Sequence, residues 1–351
     1  MKTMTRKVSR RKFMATAFFL SAGMQLRAAR SNNRQEKKES TVVMTVSGPL
    51  DTERMGMTLT HEHILVDFIG ADKVDKSRYN AAEVYEVAFP YVKDVRAAGT
   101  STFIDCTPAY IGRDVKLLQK ISEGAGINIL TTTGYYGAAR EKFVPAHAYN
   151  ESAQQLADRW IVESRDGIEG TAIRPGLIKT GTDKGPLTKM QRKLIEAAGI
   201  AHLATGLTIA VHSGDGRAAV EQLEILQALR VAPSARIWVH AQNETNPQMH
   251  IDAARRNTWV SFDGVNTETL QATLENLKVM KANKLLDRVL VSQDSGWYHV
   301  GEPGGGTFNP YTCIARQFIP LLRQHDFTAE DIDQLFKVNP AKAFAIGVRR
   351  L

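Results

Sequence analysis

Residues 207–240 read LTIAVHSGDGRAAVEQLEILQALRVAPSARIWVH, and this stretch decides the fold. Leu207–Ser213 and Arg236–His240 are short and apolar, which is typical of strands that are buried on both faces. Ala218–Leu229 lies between them and carries apolar residues at helical spacing. A strand, a helix and a second strand in this order predict parallel pairing, and therefore an α/β fold.

The same unit repeats along the chain from residue 57 onward. No Gly-x-Gly-x-x-Gly turn follows the first strand, which argues against a dinucleotide-binding sheet. Eight such units favour a closed (β/α)8 TIM barrel, forming a single catalytic domain over residues 41–351. The predicted strands are Met57–Phe68, Ser101–Thr107, Ile127–Gly134, Ile173–Thr180, Leu207–Ser213, Arg236–His240, Thr258–Asp263 and Val289–Gln293. The predicted helices include Ala81–Ala98, Thr188–Ala204, Ala218–Leu229, Glu268–Ala282 and Tyr311–Gln324, with closing helices at Thr328–Leu335 and Asn339–Phe344.

The amino terminus carries the excess basic charge. Eleven of the 45 Lys and Arg residues and two of the 37 acidic residues lie in residues 1–40, which leaves 34 basic and 35 acidic residues in 41–351. The formal net charge of +8 therefore does not predict a nucleic-acid partner. Paired Arg10 and Arg11 precede an apolar run that ends at Met24, and this pattern predicts a twin-arginine export signal over residues 1–29.

Residues 30–40 are predicted to form a polar linker between this signal and the barrel. We expect export by the twin-arginine (Tat) machinery to the periplasm or another extracytoplasmic location. The sequence has no clean Ala-x-Ala cleavage site, so cleavage near Ala28 or Ala29 and retention as a membrane anchor both stay open.

Ionisable residues stand where the apolar strands stop. His61 and His63 lie two apart in the first strand, so both imidazoles can face the same side of it. In a (β/α)8 barrel the carboxyl ends of the strands form the active-site face, and imidazole and carboxylate are ligands for Zn²⁺, Mn²⁺, Fe²⁺ or Co²⁺. The residues that end strands four, five, six and eight are Lys179, His212, His240 and Asp294.

Lys179 is the unexpected member of this set. An ammonium group would repel divalent cations, so Lys179 fits beside them only as a neutral amine. A neutral amine can add CO₂ to become a carbamate, which would supply an anionic bridge between two metals.

At these residues the chain resembles the phosphotriesterase family of the amidohydrolase superfamily. The resemblance covers essentially all of residues 41–351. It rests on Thr60-His61-Glu62-His63, Leu177-Ile178-Lys179-Thr180-Gly181-Thr182, Val211-His212-Ser213-Gly214, Val239-His240 and Gln293-Asp294-Ser295-Gly296-Trp297.

The resemblance implies a two-metal site with zinc as the first expectation and Mn, Co or Fe as alternatives. His61, His63 and Asp294 would hold the more buried metal, and His212 and His240 the more exposed one. Carboxylated Lys179 (N6-carboxylysine) and a hydroxide would bridge the two metals, and that hydroxide would attack the substrate. Asp294 would then carry the proton to the leaving group.

The loops that follow the strands determine which substrate such a site accepts, and the sequence of these loops leaves alternatives open. The resemblance places Tyr135 or Tyr136 near the exposed metal, and it favours a lactone or another carboxylic ester as substrate. A phosphotriester, an N-acyl amide and an exported metal-containing binding protein without turnover are the alternatives. A homodimer is a family-level expectation.

Three further features bear on the pocket. The family usually has Gly and Asp near the sixth-strand histidine, whereas this chain has His240-Ala241-Gln242-Asn243-Glu244, which puts transfer of a substrate in doubt. The long loop over 297–308, with its Gly-rich part at 301–306, is predicted to be a lid rather than a phosphate cradle. Arg140, Lys142 and His299 could orient an anionic substrate, although surface positions are the simpler interpretation.

Overall fold

The computed structural model describes residues 41–351, and the predicted export signal and linker lie outside the described residues. The described residues form a closed (β/α)8 barrel of parallel strands, as the sequence predicts. No helix in this part of the chain is long and apolar enough to cross a membrane. An antiparallel hairpin, β1 (Val42–Thr45) and β2 (Gly48–Asp51), precedes the barrel.

Eight strand positions make up the barrel wall, and the third is interrupted at Thr131. The strands are β3 (Thr58–Val66), β4 (Thr102–Asp105), β5 (Asn128–Leu130) continued by β6 (Thr132–Thr133), β7 (Leu177–Thr182), β8 (Thr208–Ser213), β9 (Arg236–Val239), β10 (Trp259–Phe262) and β11 (Val289–Val291). The helices outside them are α1 (Ala81–Ala97), α2 (Val115–Ala125), α3 (His147–Asn150), α4 (Ala153–Asp166), α5 (Lys189–Thr205), α6 (Gly216–Ala228), α7 (Pro247–Arg255), α8 (Leu270–Ala282), α9 (Ile319–Gln324), α10 (Ala329–Asp333) and α11 (Asn339–Phe344).

The barrel closes between its first and last strands. The backbone N–H of Asp294 donates to the carbonyl of His61 at 3.0 Å, and the N–H of His63 donates to the carbonyl of Ser295 at 2.9 Å. A short further strand, β12 (Gly296–His299), then pairs in parallel with β3. The closing seam of the barrel therefore runs through the residues that the sequence singles out as metal ligands.

Helix boundaries follow from local capping. Thr188 and Gln191 form a reciprocal capping box at the start of α5, and Gly206 ends that helix with a left-handed backbone at φ 74°. Thr328 and Asp331 form the same kind of box before α10, at the start that the sequence predicts. The segments over 314–318 and 334–338 are π-helical turns, each continuing into or out of a short α-helix.

Side chains alternate between the barrel interior and the layer under the helices. In β8, Ile209 and Val211 pack under the helices, whereas Ala210 packs inside the barrel with Leu177 and Ile237. This alternation directs Lys179 inward, two residues after Leu177. A bulge in the β3–β4 pairing lies between Leu59 and Glu62, just where the two histidines of β3 begin.

Several elements differ from the sequence prediction. The fourth strand begins at Leu177 rather than Ile173, because Pro175 and Gly176 precede it. The sixth strand stops at Val239, so His240 is not part of it. The sequence analysis did not single out α2, α4, α7 or the first hairpin, and β12 lies where it expected only loop.

Candidate metal centre and active site

All six predicted ligands line one cavity of about 340 Å³ at the carboxyl ends of the strands. β3 contributes His61 and His63, Lys179 and His212 lie within β7 and β8, and His240 and Asp294 follow the ends of β9 and β11. The prediction that Lys179 ends the fourth strand is wrong, because β7 continues to Thr182. The set is His61, His63, Lys179, His212, His240 and Asp294.

Hydrogen bonds on the outer side of the rings orient the two β3 histidines. His61 Nδ1–H donates to Asp263 Oδ2 at 3.0 Å, and His63 Nδ1 shares a hydrogen bond of 2.8 Å with Thr107 Oγ1. These partners turn the Nε2 atoms of both rings into the cavity, where they lie 3.3 Å apart. Burial, together with the positive charge of Lys179, lowers the pKa of His61 to about 4, so its ring is neutral at physiological pH.

Asp263 joins two of the cavity histidines from behind. Its carboxylate accepts from His61 at 3.0 Å and from His240 Nδ1–H at 2.7 Å, and also from Ser261 Oγ and Gln242 Nε2. The side chain is fully buried. Burial by itself would raise the pKa of Asp263, but the two imidazoles hold it well below its ordinary value. Asp263 is thus an ionised carboxylate that fixes the ring orientation of both histidines.

His240 reaches the cavity through an unusual backbone conformation. Ile237 and Val239 face the barrel interior, so a regular strand would turn the next side chain outward. His240 instead adopts φ 59° and ψ 42°, a left-handed conformation that redirects its ring inward. Burial would lower the pKa of His240, but the charge of Asp263 and the hydrogen bond to it raise it.

Asp294 is held in a similarly strained turn, at φ 52°. Its Oδ1 lies 3.1 Å from His63 Nε2 and 3.6 Å from His61 Nε2. Burial would raise the pKa of Asp294, but the neighbouring imidazoles hold it far below its ordinary value. The indole N–H of Trp297 donates to the Asp294 carbonyl at 2.6 Å and helps to hold the turn.

Glu62 organises the backbone on both sides of Asp294. Its buried carboxylate accepts from the N–H of Gln293 at 3.0 Å, from the N–H of Ser295 at 2.8 Å and from Ser292 Oγ at 2.7 Å. Burial raises the pKa of Glu62 to about 8, despite these donors. The residue between the two histidines therefore shapes the loop that presents Asp294.

Lys179 and His212 complete the ring of ligands. Lys179 is 2% exposed, and its Nζ lies 3.1 Å from His61 Nε2. His212 packs edge-on against His240, with ring centroids 4.5 Å apart. Burial, followed by the charge of a protonated His240, lowers the pKa of His212 well below its ordinary value, so this imidazole also offers a lone pair.

The structure separates the two adjacent tyrosines. Tyr136 lines the metal-ligand cavity, with its ring centroid 5.2 Å from that of His212. Tyr135 turns the other way and lines a larger cavity of about 700 Å³ outside the barrel, where its hydroxyl lies 3.1 Å from His147 Nε2. Burial raises the pKa of Tyr136 above its ordinary value, so its hydroxyl is a donor inside the cavity.

Apolar and aromatic groups make up the rest of the cavity wall. Trp297 packs on His63 with ring centroids 4.2 Å apart, and Phe68 packs beside Trp297 at 5.6 Å. The remaining lining residues are Cys106, Pro108, Ile111, Ala139 and Phe143. Arg140, Lys142 and His299 do not line this cavity, and the first two are exposed.

The residues present fit a cationic centre. His61 donates from Nδ1, so its Nε2 lone pair points into the cavity, 3.3 Å from His63 Nε2, and is available to a cation. Asp294 Oδ1 is buried and, among the described residues, has no hydrogen-bond donor. One ligand atom each from His61, His240 and Asp294 lie within 4.8 Å of one another. Nitrogen and carboxylate donors in this arrangement suit divalent transition metals.

Sequence reasoning missed Asp263 and Glu62. Asp263 stands at the end of the seventh strand. Ionisable residues at strand ends were the candidates for the site, so this position could have identified it. Glu62 stands between the two histidines, but nothing in its local sequence indicates that it bonds to residues 230 or more positions away.

The chain is similar to known proteins over nearly all of the described residues. The Phosphotriesterase family profile matches residues 41–344. A phosphotriesterase homology protein of Escherichia coli (strain K12) is 30% identical over 294 residues, covering 82% of this chain and 98% of that protein. An aryldialkylphosphatase of Saccharolobus solfataricus is 27% identical, covering 84% of this chain and 97% of that protein. The structure of a mutant PTE-like lactonase of Deinococcus radiodurans superposes with a TM-score of 0.78 at 26% identity, over 86% of this chain and 100% of that one.

Proposed function

The chain belongs to the phosphotriesterase family, and from this premise we propose that it hydrolyses an uncharged carboxylic ester, with a lactone as the first candidate. Relatives that carry the names aryldialkylphosphatase and PTE-like lactonase are hydrolases, which supports ester cleavage as the reaction type. The proposal concerns the bond that is cut and the charge of the substrate.

One observation carries the choice of an uncharged substrate. Lys179 is the only Lys or Arg side chain among the residues that line the cavity, and it is already part of the ligand ring. A substrate carboxylate, sulfonate or phosphate monoester that lies against the cavity wall, away from the metals, would find no lysine or arginine partner there, which is costly away from water. The aromatic wall of Phe68, Phe143 and Trp297 offers apolar contact instead.

The histidines, Lys179 and Asp294 would hold two divalent metals. When bound, these metals would activate a water molecule as nucleophile and polarise the scissile carbonyl. Carboxylation of Lys179 would turn it from a cation, which would repel divalent metals, into an anion that could help to hold them. Zinc is the first candidate for the metal, and Mn, Co or Fe are the alternatives.

The side chains of this chain have separate tasks in such a reaction. Asp294 would take the proton of the nucleophile on the buried, unpartnered Oδ1 and deliver it to the leaving alkoxide. Asp263 holds His61 and His240 in their ligand orientation. Tyr136 would donate to a substrate oxygen beside His212, and the aromatic wall would exclude bulk water.

Two alternatives share the site. A neutral phosphotriester meets the same apolar wall and needs no counter-ion, so it is the second candidate. An N-acyl amide is the next candidate substrate, but only if the compound carries no free carboxylate. A binding protein without turnover would use Asp294 only as a metal ligand and would need no proton carrier, so measured turnover that depends on Asp294 distinguishes it from the enzyme.

The predicted export signal at residues 1–29 adds a cellular setting. We propose delivery by the twin-arginine machinery to an extracytoplasmic site, either cleaved or anchored by the signal, and a homodimer as the working assembly. Because that route carries folded proteins, the centre could be metallated and carboxylated beforehand. A fusion of residues 1–40 to a reporter should be exported, and replacing Arg10 and Arg11 by Lys should stop it.

A hydrolysis screen tests the proposed reaction. The metal-loaded protein should cleave alkyl lactones fastest, then aryl esters and dialkyl aryl phosphates, and should leave N-acyl amino acids with a free carboxylate uncleaved. Asp294→Asn is the control for adventitious hydrolysis. Preferential cleavage of the anionic substrates, or equal rates with Asp294→Asn, would overturn the proposal.

A further inference from the structure

A second, smaller cavity lies outside the barrel wall, between β9 and the helices α6 and α7. Its volume is about 130 Å³, and it shares no lining residue with the metal-ligand cavity. It is lined by Ala219, Val220, Leu223, Arg236, Trp238, Met249, Asp252, Ala253 and Arg256.

Arg236 is the distinctive residue of this cavity. It is the first residue of β9 and faces the helix layer, as does Trp238 two positions later. Arg236 is 1% exposed. Its Nη2 donates to Gln222 Oε1 at 2.5 Å, its buried Nε has no acceptor, and it forms no ion pair with any of residues 41–351.

Arg113, another buried arginine of this fold, has carboxylate partners. Arg113 is equally enclosed, but its Nη2 lies 2.7 Å from Glu163 Oε1 and 3.2 Å from Glu169 Oε1. Arg236 has only the amide oxygen of Gln222, which also accepts from Ser213 Oγ. Burial lowers the pKa of Arg236 to about 9, so it stays cationic at neutral pH without a counter-ion.

Most of the wall around this cation is apolar, and the charged side chains of Asp252 and Arg256, which complete the lining, belong to exposed residues. Val220, Leu223, Met249 and Ala253 give the cavity an aliphatic surface. Asp252 also belongs to the lining, but Gln248 Nε2 bonds to it and it is too distant to pair with Arg236. Because a water molecule occupies about 30 Å³ in the liquid, the cavity equals about four waters, which is too small for a nucleotide or a lipid.

We propose that this cavity binds a short-chain aliphatic carboxylate, with the carboxylate on Arg236 and the chain against Val220, Leu223 and Met249. The carboxylate supplies the counter-ion that Arg236 lacks, and a planar anion suits the guanidinium fork. The short chain fills aliphatic space that a bare inorganic anion would leave empty. This site is independent of the metal centre and of the reaction proposed for it.

Thermal unfolding of the metal-loaded protein tests the site with butyrate as the probe. Butyrate at constant ionic strength should raise the Tm, whereas the neutral isostere butyramide and sodium chloride should not. Arg236→Met should lose the butyrate-dependent shift, and Arg288→Met, which changes an arginine outside this cavity, should keep it. A shift that chloride or butyramide reproduces, or that Arg236→Met retains, would overturn the proposal.

Two further measurements keep the test decisive if Arg236→Met fails to fold. Ala253→Leu fills the aliphatic part of the cavity and leaves Arg236 in place, so it should also lose the butyrate shift. A crystal soaked in 3-bromopropionate should show an anomalous bromine peak among Val220, Leu223 and Met249. An intact shift in Ala253→Leu, or no bromine in the cavity, contradicts the assignment.

Discussion

The carboxylate of Glu62 accepts a hydrogen bond from the backbone N–H of Ser295 at 2.8 Å, which ties the first barrel strand to the residue after Asp294. A second bond, to the N–H of Gln293, lies on the other side of Asp294. Asp294 itself is held at φ 52°, a conformation that a non-glycine residue keeps only when its surroundings enforce it. Glu62 is therefore a positioning residue for Asp294.

Glu62→Gln should displace Asp294 while leaving the other five ligand side chains in place. The new amide N–H would face the backbone N–H groups, so we expect a loss of about 1–3 kcal/mol in the free energy of unfolding. A shifted proton carrier should lower kcat by about tenfold or more, with a smaller change in KM. Steady-state kinetics and urea unfolding measure both quantities.

Ser292→Ala is the graded control for Glu62→Gln, because it removes the hydroxyl donor and keeps the two backbone donors. Its effect on kcat should be smaller. Equal kcat in the wild type and Glu62→Gln would rule out the positioning role.

Asp263→Asn should weaken metal binding. An asparagine side chain can accept from one imidazole, but its amide N–H opposes the Nδ1–H of the other, so His61 or His240 loses its orientation. Loss of such a partner typically lowers the metal affinity by roughly 10–100-fold. Competition with a chromophoric chelator measures this affinity. Ser261→Ala, which removes one donor to Asp263, should bind metal nearly as well as the wild type, and unchanged affinity in Asp263→Asn would contradict the prediction.

Lys179→Ala should lose metal and activity together, because the proposed bridge is gone. A small carboxylate such as acetate should restore part of both by occupying the space of the carbamate. Elemental analysis of metal per chain is the measurement, and Lys184→Ala, at an exposed neighbouring lysine, is the matched control. Full metal content in Lys179→Ala would refute the bridge.

Tyr136→Phe and Tyr135→Phe form a matched pair, since each removes one hydroxyl from adjacent residues. Tyr136 lines the metal-ligand cavity, so we expect kcat/KM to fall by about tenfold when its donor is removed. Tyr135 bonds to His147 in the outer cavity, and its loss should leave kcat/KM near the wild-type value. The opposite ranking in an ester hydrolysis assay would show that Tyr135 serves the substrate.

His202 gives a pH dependence that is separate from the metal-ligand cavity. Its Nδ1–H donates to the Leu207 carbonyl at 2.8 Å, and its Nε2 accepts from the N–H of Arg349 at 3.0 Å. The second bond needs the lone pair of the neutral ring. Burial lowers the pKa of His202 below its ordinary value of 6.5. Because the folded state has the lower pKa, the stabilisation is complete above pH 6.5 and is lost as the pH falls through the folded-state pKa.

His202→Phe removes this titrating group at similar size. We expect it to lower the free energy of unfolding by about 1–3 kcal/mol at neutral pH and to reduce the loss of stability on acidification. Urea unfolding of both proteins from neutral to mildly acidic pH measures the difference. Parallel curves for the two proteins would show that His202 does not titrate in this range.

The barrel was predictable because the strand and helix patterns that indicate it are local in the sequence. Each apolar run, such as Leu207–Ser213, shows strand spacing within a few residues, and the alternation with helices then determines parallel order. The (β/α)8 prediction and the family resemblance are confirmed. The third strand was predicted without its break at Thr131, since periodicity carries no information on pairing partners.

The site was predictable only in part. Alternation along β7 brings Lys179 into the cavity, but His240 and Asp294 arrive through left-handed backbone conformations that a two-residue period does not anticipate. Tyr135 and Tyr136 could not be told apart from the sequence. The bond from His61 to Asp263 spans 202 positions of the chain, so no local pattern reveals it. The bound metals and the carbamate remain predictions.

The barrel closes between β3 and β11, so closure needs strands from both ends of the domain. A nascent chain that has reached residue 288 already carries five of the six ligands, yet it lacks Asp294 and the backbone bond from Asp294 to His61 that shuts the barrel. Such a fragment has an open edge on β3 and no complete site. The complete ligand set can therefore form only after nearly the whole polypeptide has left the ribosome, because it needs the first and last strands to meet.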